Sequence, residues 1–428
     1  MKNPATHVLS VFLTLAGASA VVAGQPVHLE RASVSTTGQQ GDLFSVRPEL
    51  PGDGTKVAFI SMASNLAAGV TVPGMSIYLR DPVAHTTRLA SATPTGARAN
   101  AASVDPGFSG DGRFLVFSSN ATNLVAGRTF GHKQVFRKDI ASGAVEMVSI
   151  AADGRAGGLD SANPVASADG SRVAFMSFSA LAPGCREGQA NIYLRDIPRS
   201  ATTCISTGLD GRAANGPSLQ PAISGDGRFV AFSSSASNLV ALDGNHADDI
   251  FVRDVEKGTM LRASVGSHGE EAHGGSIEPW LSGDGARLVF SSSASNLVDG
   301  AGGGLQRVYI RDLRANTLSL AGPSGSHIAN DWSGQPRISA DGNVVVFLSA
   351  ATNLDGAATD GRRNIYRWDI PHQRIGRVSV PRDGGDLDGD CFQPAVSADG
   401  GVVAFRSNAR NLVPDDSNLT DDVFVEVR

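Results

Sequence analysis

The sequence predicts an all-β fold, a seven-bladed β-propeller of four-stranded antiparallel blades. Three observations support this prediction. An Asp-Gly pair followed by an apolar run recurs seven times, each copy holds four strand-like segments, and the segment missing from the last copy is found near the N-terminus. The composition agrees, because 50 glycines and only 18% charged residues in 428 positions are typical of short strands joined by tight turns.

The repeat is 57 or 58 residues long. Its aspartates are Asp53, Asp111, Asp169, Asp226, Asp284, Asp341 and Asp399. Each is followed by a glycine, which accepts the positive φ that a tight hairpin turn requires. Because the spacing is so regular, there is no room for an inserted domain, and we expect a single propeller domain over residues 25–428.

The fourth copy shows the four strands of one blade, which we name A (221–224), B (229–233), C (250–253) and D (261–265). Strand B is apolar on both alternating sets of side chains, with Phe229 and Ala231 on one face and Val230 and Phe232 on the other. Both faces must therefore be buried. Radial stacking supplies that burial, since each sheet is then covered by a neighbour on either side.

The two ends of the chain predict how the ring closes. The last copy stops in the segment 423–428, which is strand C, and so lacks strand D. The segment 29–35 carries an Arg-Ala-Ser-Val core that matches residues 262–265 in strand D of the fourth copy. We therefore expect an N-terminal strand at about 28–35 to complete the seventh blade.

The first 24 residues predict export. Lys2 is followed by an apolar stretch over 8–22 that ends in small residues, the pattern of a secretory signal peptide over 1–24. The stretch is short for a membrane span, and no later segment is apolar for about 20 residues. We expect a monomer in the periplasm or the medium, with no membrane span. Since no run of Lys and Arg occurs, no nucleic-acid partner is expected.

The three cysteines are interpreted in the light of this export, because disulfides form in oxidising compartments. Cys185 and Cys204 belong to the same copy, whereas Cys391 belongs to the last one. We expect a Cys185–Cys204 bridge that leaves Cys391 unpaired. Three free thiols are the alternative.

The wording of the repeat resembles that of a known family. It reads Pro-x-x-Ser-x-Asp-Gly-x-x-Val-x-Phe followed by Ile-Tyr/Phe-x-Arg-Asp, which resembles the TolB-type propeller repeat of bacterial envelope proteins. The resemblance covers essentially the whole mature chain and implies the propeller fold. TolB itself has a further N-terminal α/β domain and works with a peptidoglycan-associated lipoprotein. The residues before the first copy are too few for such a domain, so we expect a TolB-like propeller without it, and the resemblance does not by itself imply a Tol-Pal role.

Candidate binding residues are sought where the copies differ, because residues shared by all blades are explained by the blade itself. In a propeller the D–A and B–C loops meet on one face around the central channel. The residue before the strand A proline is polar or charged in every copy: Arg47, Asp105, Asn163, Gln220, Glu278, Gln335 and Gln393. If strand A lines the channel, these side chains form a ring at its mouth that holds water, an ion or a polar ligand. Solvated side chains at a strand start are the alternative.

Two aromatic residues and one loop add to this face. Trp332 and Phe392 stand in D–A loops where most copies have small residues, and exposed aromatics make good contact anchors. Packing against the neighbouring loop is their alternative. The fifth D–A loop holds His268 and His273 with two glutamates between them. Histidine nitrogen and carboxylate oxygen suit zinc or manganese, although a solvated loop explains the same residues.

Two B–C loops predict a calcium site. Copies four and seven share a pattern of alternating oxygen donors: Asp243, Asn245 and Asp248, and Asp416, Asn418 and Asp421. Such donors suit calcium, which takes about 6–8 oxygen ligands. Calcium or another divalent metal is therefore the candidate cofactor. A turn whose Asp and Asn side chains bond their own backbone is the alternative.

Two functions fit these observations. No Gly-x-Ser-x-Gly elbow occurs, and no catalytic residue is predicted. The first function is a binding module that recognises an envelope protein, a peptide or a glycan through its loop-bearing face or channel mouth. The alternative is a metal-assisted enzyme, a lyase or hydrolase, that degrades a polysaccharide at the channel mouth. Its candidate residues are Glu278, Gln335, Gln393 and His273.

Overall fold

The computed structural model describes residues 28–428 except 71, 128, 130, 302, 303, 324–327, 357 and 358. The predicted signal peptide, residues 1–24, lies outside the described residues. The described chain forms seven four-stranded antiparallel sheets in a ring, which confirms the predicted propeller. No helix among these residues is long and apolar enough to cross a membrane.

The strands follow one another blade by blade, after the N-terminal strand β1 (His28–Arg31). Blade 1 contains β2 (Ser45–Glu49), β3 (Val57–Ser61), β4 (Ser76–Asp81) and β5 (Thr86–Leu89). Blade 2 contains β6 (Ser103–Phe108), β7 (Phe114–Ser119), β8 (Gln134–Asp139) and β9 (Val145–Met147). Blade 3 contains β10 (Ser161–Ala166), β11 (Arg172–Ser177), β12 (Asn191–Asp196) and β13 (Ala201–Cys204). Blade 4 contains β14 (Ser218–Ile223), β15 (Phe229–Ser234), β16 (Asp249–Asp254) and β17 (Thr259–Arg262).

The last three blades complete the ring. Blade 5 contains β18 (Ser276–Leu281), β19 (Arg287–Ser292), β20 (Arg307–Asp312) and β21 (Thr317–Leu320). Blade 6 contains β22 (Ser333–Ile338), β23 (Val344–Ser349), β24 (Asn364–Asp369) and β25 (Arg374–Arg377). Blade 7 contains β26 (Cys391–Val396), β27 (Val402–Ser407) and β28 (Asp422–Val427) as strands A, B and C. Its strand D is β1.

The observed strands of blade 4 differ from the predicted bounds by one residue at the end of B and at each end of C, and by more at strands A and D. In blade 4, strand A begins at Ser218 instead of 221, because a bulge at Pro221 lets the pairing with β15 continue on both sides of it. Strand D ends at Arg262 instead of 265, since at the next ladder position the Ile250 N–H donates to the Ser264 hydroxyl at 2.9 Å.

The two ends of the chain meet in blade 7. Strand β1 pairs antiparallel with β28, with Leu29 opposite Glu426 and Arg31 opposite Phe424. The prediction that an N-terminal strand completes the seventh blade is therefore confirmed. Because the paired strands belong to opposite ends of the chain, the ring cannot open here without breaking this ladder.

The core lies between the blades. In each blade a phenylalanine of strand B stacks on a phenylalanine or tyrosine of strand C, with ring centroids 5.6–6.0 Å apart. The pairs are Phe59–Tyr78, Phe117–Phe136, Phe175–Tyr193, Phe232–Phe251, Phe290–Tyr309, Phe347–Tyr366 and Phe405–Phe424, all buried. Burial of one such side chain stabilises the fold by about 1.5–3 kcal/mol. The predicted burial of both faces of strand B is confirmed.

The Asp-Gly pair closes the A–B turn in each blade. In blade 4 the carboxylate of Asp226 accepts hydrogen bonds from the Ser224 hydroxyl at 2.5 Å and from the Arg228 N–H at 2.9 Å. Gly227 follows with a φ of 70°, in the left-handed region. These aspartates therefore belong to the scaffold.

Backbone hydrogen bonds join the A–B turns of neighbouring blades into a closed circle, here called the floor ring. Its seven bonds, 2.7–3.0 Å long, run from Gly52 N to Gly110 O, Asp111 N to Ala168 O, Ala168 N to Gly225 O, Gly225 N to Gly283 O, Gly283 N to Ala340 O, Asp341 N to Ala398 O, and Ala398 N to Gly52 O. The residue before each aspartate is glycine or alanine because the turns approach closely. A Cβ atom on Gly52 would overlap the carbonyl oxygen of Gly110.

The floor ring predicts that Gly52→Ala lowers the free energy of unfolding by about 1–3 kcal/mol, because the new methyl group overpacks the contact between two turns. The control is Gly158→Ala in a D–A loop, where a Cβ atom meets nothing within 4 Å. Its effect should stay within about 0.5 kcal/mol. Urea unfolding of both variants measures the difference, and equal losses would contradict the close approach.

Candidate functional site

Strand A of every blade lines one central cavity of about 300 Å³. The floor ring lies at the end of this cavity that faces the A–B turns. Toward the D–A loops, the seven polar residues that precede the strand A prolines all line the cavity. We call these seven residues the mouth ring. The structure therefore gathers Arg47, Asp105, Asn163, Gln220, Glu278, Gln335 and Gln393 around one channel, and their role in binding stays a prediction.

The backbone explains why the mouth-ring side chains face the channel. Each of the seven residues has a φ between 52° and 59°, in the left-handed region, at a cost of about 1–3 kcal/mol for a residue other than glycine. Each also lies where the register between strands A and B shifts. Such a bulge interrupts the alternation of a strand and redirects one side chain. The redirected side chain points into the channel.

A relay of hydrogen bonds links the mouth ring from blade 4 to blade 1. Each long side chain accepts a hydrogen bond from the backbone N–H of the next mouth-ring residue. The bonds run from Glu278 N to Gln220 Oε1 (3.0 Å), Gln335 N to Glu278 Oε2 (2.8 Å), Gln393 N to Gln335 Oε1 (2.8 Å) and Arg47 N to Gln393 Oε1 (3.1 Å). The Arg47 guanidinium then pairs with the carboxylate of Asp105 in blade 2.

Three further residues lie inside the channel, and sequence reasoning missed them. The three are Glu49, Trp280 and Arg337, and each occupies the position after the strand A proline. The other four blades carry Gly107, Val165, Ala222 and Ala395 at this position. The Arg337 guanidinium lies over the Trp280 ring at 4.2 Å, and its Nη2 is 3.9 Å from Glu49 Oε1. The signal was present in the sequence, since three of the seven copies carry a charged or large aromatic residue at this position.

Burial dominates the electrostatics of this interior. It raises the pKa of the Glu49 carboxyl, which Arg337 and Arg47 partly offset. Burial likewise lowers the pKa of the Arg47 guanidinium, although the negative charge of Glu49 acts in the opposite direction and raises it. The Glu49 side chain keeps 22% of its surface accessible, because it opens into the channel and not into bulk solvent. The channel thus holds opposite charges in a poorly solvated space.

The position six residues before each proline links the D–A loop to the end of strand B. In blade 4 the Asn215 side chain accepts a hydrogen bond from Ser237 N at 2.8 Å, while Asn215 N donates to Asn238 Oδ1 at 3.0 Å. His273 occupies the same position before blade 5. Its backbone N–H donates to Asn296 Oδ1 at 2.8 Å in the same way, and its side chain is exposed. Among the described residues no group of three His, Cys, Asp or Glu side chains is placed to hold a metal ion.

The acidic B–C loop of blade 4 surrounds an arginine of strand D. Arg262 Nη1 lies 3.0 Å from Asp243 Oδ1 and 2.8 Å from Glu271 Oε1. Asn245 donates a hydrogen bond to Asp249 Oδ2 at 2.9 Å, and that oxygen is 3.7 Å from the same guanidinium. The other predicted ligand, Asp248, is exposed. In this structure the cation in the loop is therefore an arginine.

Blade 7 repeats the arrangement with its own arginine. Arg31 Nη2 lies 3.4 Å from Asp416 Oδ2, and Gln40 donates to the other oxygen of that carboxylate at 2.8 Å. Asn418 donates to the Gly41 carbonyl at 2.9 Å, and Asp421 pairs with Arg406 at 3.0 Å. Blade 6 has a third such arginine, Arg377, next to Asp355 and Asp386. The acidic loops and the strand D arginines thus occur in the same three blades, a correlation that the sequence already contained.

In blade 3 a cysteine takes the place of this arginine. Cys204 ends strand D and is bridged to Cys185 in the B–C loop, with a Cα–Cα distance of 5.8 Å. The predicted disulfide is confirmed. Cys391 is free, as predicted. It is also buried, and burial raises the pKa of its thiol to about 12.

Trp332 lies in the D–A loop before β22, whereas Phe392 belongs to strand β26 and not, as predicted, to a D–A loop. Together they meet two arginines beside the mouth ring, and we call these four residues the aromatic–arginine cluster. The guanidinium carbon of Arg363 lies 5.9 Å from the Trp332 ring and 5.4 Å from the Phe392 ring. Arg406 lies 4.5 Å from the Phe392 ring. Both aromatic rings are half-buried, so they pack against neighbouring residues and also keep accessible surface.

Comparison with known proteins identifies the fold. No family model and no curated protein matches the chain. Among solved structures, oligogalacturonate lyase in complex with manganese is 13% identical, with 94% of this chain and 96% of that one covered and a TM-score of 0.52. The β-propeller domain of the Trilobed protease from Pyrococcus furiosus is 12% identical, covers 85% and 91% of the two chains, and has a TM-score of 0.51. The chain shares their propeller fold.

TolB proteins are also among the structures that the propeller resembles, as the wording of its repeat led us to expect. TolB from Acinetobacter baumannii is 16% identical over 69% of this chain, with a TM-score of 0.40. The chain spans 60% of the length of that protein. At these identities the common feature is the fold alone.

The arginine of blade 4 predicts a stability effect. Arg262→Met should lower the free energy of unfolding by about 3–5 kcal/mol, because it leaves the carboxylates of Asp243 and Asp249 without their cation. The matched control is Arg212→Met, whose side chain is 86% exposed beside Asp210, and an exposed pair contributes about 0–1 kcal/mol. Thermal or urea unfolding measures both.

The same loops allow a direct test for calcium. If arginine is the cation that they hold, added calcium and EDTA should leave the unfolding midpoint of the wild-type protein unchanged. A rise of the midpoint with calcium that disappears in the Asp243→Asn variant would instead support the calcium site predicted from the sequence.

Proposed function

We propose that the chain is an exported binding module that recognises a protein or peptide segment through the face that carries its D–A and B–C loops. The observation that carries this proposal is the aromatic–arginine cluster beside the channel mouth. Tryptophan and arginine are enriched among the residues that dominate binding energy at protein interfaces. Here the Arg363 guanidinium lies 5.9 Å from the Trp332 ring and 5.4 Å from the Phe392 ring, and Phe392 directly precedes the mouth-ring residue Gln393.

Exposed apolar side chains on the same face support the proposal. Eleven large apolar side chains are exposed among the described residues. Eight of them belong to the D–A and B–C loops or to strand ends beside them: Val72, Met75, Phe178, Leu209, Leu219, Leu242, Leu305 and Leu419. Leu242 is 91% exposed and Leu419 is 72% exposed. The loop-bearing face therefore carries most of the exposed large apolar side chains that a partner can contact.

The opposite face favours the same choice. The floor ring joins all seven A–B turns by backbone hydrogen bonds, so their peptide groups are already satisfied and closely packed. On that face the exposed large apolar residues among those described are Val83, in the C–D turn of blade 1, and Val427, at the end of strand β28. A partner therefore finds more exposed apolar side chains on the loop-bearing face than on the turn face.

Two features support export. The segment 1–24 has the pattern of a secretory signal peptide. The Cys185–Cys204 disulfide is the kind of bond that persists in oxidising compartments. A location in the periplasm or the medium, with an envelope protein or peptide as partner, follows from the proposal.

The alternative function is a metal-assisted enzyme that degrades a polysaccharide. It needs carboxylates and imidazoles that converge on one ion. Within the described residues, the carboxylates of Asp243 and Asp416 instead face the arginines of strand D. The Glu278 carboxylate accepts hydrogen bonds from Gln335 N and from the Ser291 hydroxyl. These contacts favour the binding module.

Substitution within the cluster tests the proposal. The wild-type protein should retain one envelope protein or peptide, to be purified and titrated against each variant. We expect Phe392→Ala and Arg363→Ala each to weaken that binding by about 30-fold, because loss of a central contact residue costs about 2 kcal/mol or more.

The control for this experiment lies on the opposite face. Val83, which is 85% exposed in the C–D turn of blade 1, is replaced by serine, and its affinity should equal that of the wild type. A partner that binds Phe392→Ala and Arg363→Ala as tightly as the wild type would contradict the proposal. The proposal would also be contradicted if only Val83→Ser lost binding to the partner, or if the protein bound purified glycans and no protein or peptide.

A further inference from the structure

The cavity behind the mouth ring has a size and a lining of its own. Its volume of about 300 Å³ corresponds to roughly ten water molecules at liquid density. The mouth ring lines its end toward the D–A loops, so a ligand that enters from the loop-bearing face passes these seven residues. A space of this size takes one small molecule or one residue-sized group, and not a folded segment.

The charges inside the cavity are not saturated by the protein. Arg337 donates one hydrogen bond, from Nη1 to the carbonyl oxygen of Pro336 at 3.1 Å, while its buried Nε has no hydrogen-bond partner. Its Nη2 is 3.9 Å from Glu49 Oε1, beyond hydrogen-bond distance. The Glu49 carboxylate accepts no hydrogen bond from any residue that the structure describes. A half-buried guanidinium and a half-buried carboxylate therefore lie side by side with unused donors and acceptors.

The charges at the mouth differ from this interior pair. Arg47 and Asp105 are in direct contact, so each neutralises the other. The Glu278 carboxylate accepts two hydrogen bonds. The interior pair is thus the part of the cavity where a ligand gains new charge-assisted hydrogen bonds, which are the stronger ones in proteins.

We infer that this cavity binds an α-amino-acid unit with a free ammonium and a free carboxylate group. The carboxylate receives hydrogen bonds from the Arg337 guanidinium, and the ammonium donates to the Glu49 carboxylate. An α-amino acid carries its two charges on adjacent carbon atoms, and the two protein groups lie 3.9 Å apart at their closest atoms. Trp280 supplies apolar wall beside the pair. The inference does not depend on the proposed protein partner, since none of these residues belongs to the aromatic–arginine cluster.

Two sources present this chemistry: a free amino acid, and a diamino acid that is attached to a larger molecule through its side chain. The first experiment uses the wild-type protein with the twenty free amino acids, followed by calorimetry and by the unfolding midpoint. At least one should bind. Its N-acetyl and amide derivatives should each bind at least ten-fold more weakly, because each loses one hydrogen bond between charged groups.

Two variants assign the charges. Glu49→Gln should remove the preference for the free amine over the N-acetyl derivative. Arg337→Met should remove the preference for the free acid over the amide. Glu256→Gln, an exposed carboxylate on the turn face, is the matched control and should keep both preferences. Nε-acetyllysine distinguishes the two sources, because its side chain is blocked while its α-amino and α-carboxyl groups are free. If it binds, the site also accepts units that are linked through their side chain. If it does not bind although a free amino acid does, the site accepts only the free molecule.

The inference is overturned if none of the twenty amino acids binds at millimolar concentration, or if the N-acetyl and amide derivatives bind the wild type as tightly as the free amino acid. The comparison of derivatives needs no variant, so it remains decisive even if Glu49→Gln or Arg337→Met fails to fold. Loss of the protein partner through Phe392→Ala with amino-acid binding intact would separate the two sites.

Discussion

The circle of backbone hydrogen bonds at the A–B turns is the constraint on which the rest of the structure depends. Each turn donates to the next, and the last returns to Gly52. Such a circle closes only if the turns approach to hydrogen-bond distance, which restricts the residue before each aspartate to glycine or alanine. The same approach draws the seven A strands together around one channel. The pairing of β1 with β28 then completes the ring at its outer edge.

The opposite end of the channel is organised by side chains. The backbone of the mouth ring is held in the left-handed region, and its long side chains replace the backbone contacts found at the floor. Because side chains differ between copies whereas peptide groups do not, this end varies around the ring. The charged residues Arg47 and Glu278, the cavity behind them and the aromatic–arginine cluster all lie there. The scaffold and the candidate site therefore occupy opposite ends of one barrel of strands.

The sequence predicted those features that local chemistry determines. Asp-Gly turns, apolar B strands and the orphan strand near residue 30 were sufficient for seven blades and ring closure. Two cysteines in one copy of an exported chain were sufficient for the Cys185–Cys204 bridge. Other features needed the structure. A residue before proline normally takes an extended conformation, so the left-handed φ of Gln220 and its equivalents was not expected. Arg262 meets acidic partners from segments on either side of it, and Glu49 meets Arg337 across blade 7, which only the closed ring brings about.

The central claim is that the floor ring is the rigid closure of the propeller, and that the loop-bearing face is left free for binding. Native-state hydrogen exchange tests it most directly. The amides of Ala168, Gly225, Gly283 and Ala398, which donate in the floor ring, should exchange only through global unfolding, with protection equal to the full free energy of unfolding. Exposed D–A loop amides should exchange far sooner. Floor-ring amides that exchange as fast as the D–A loops would contradict the account.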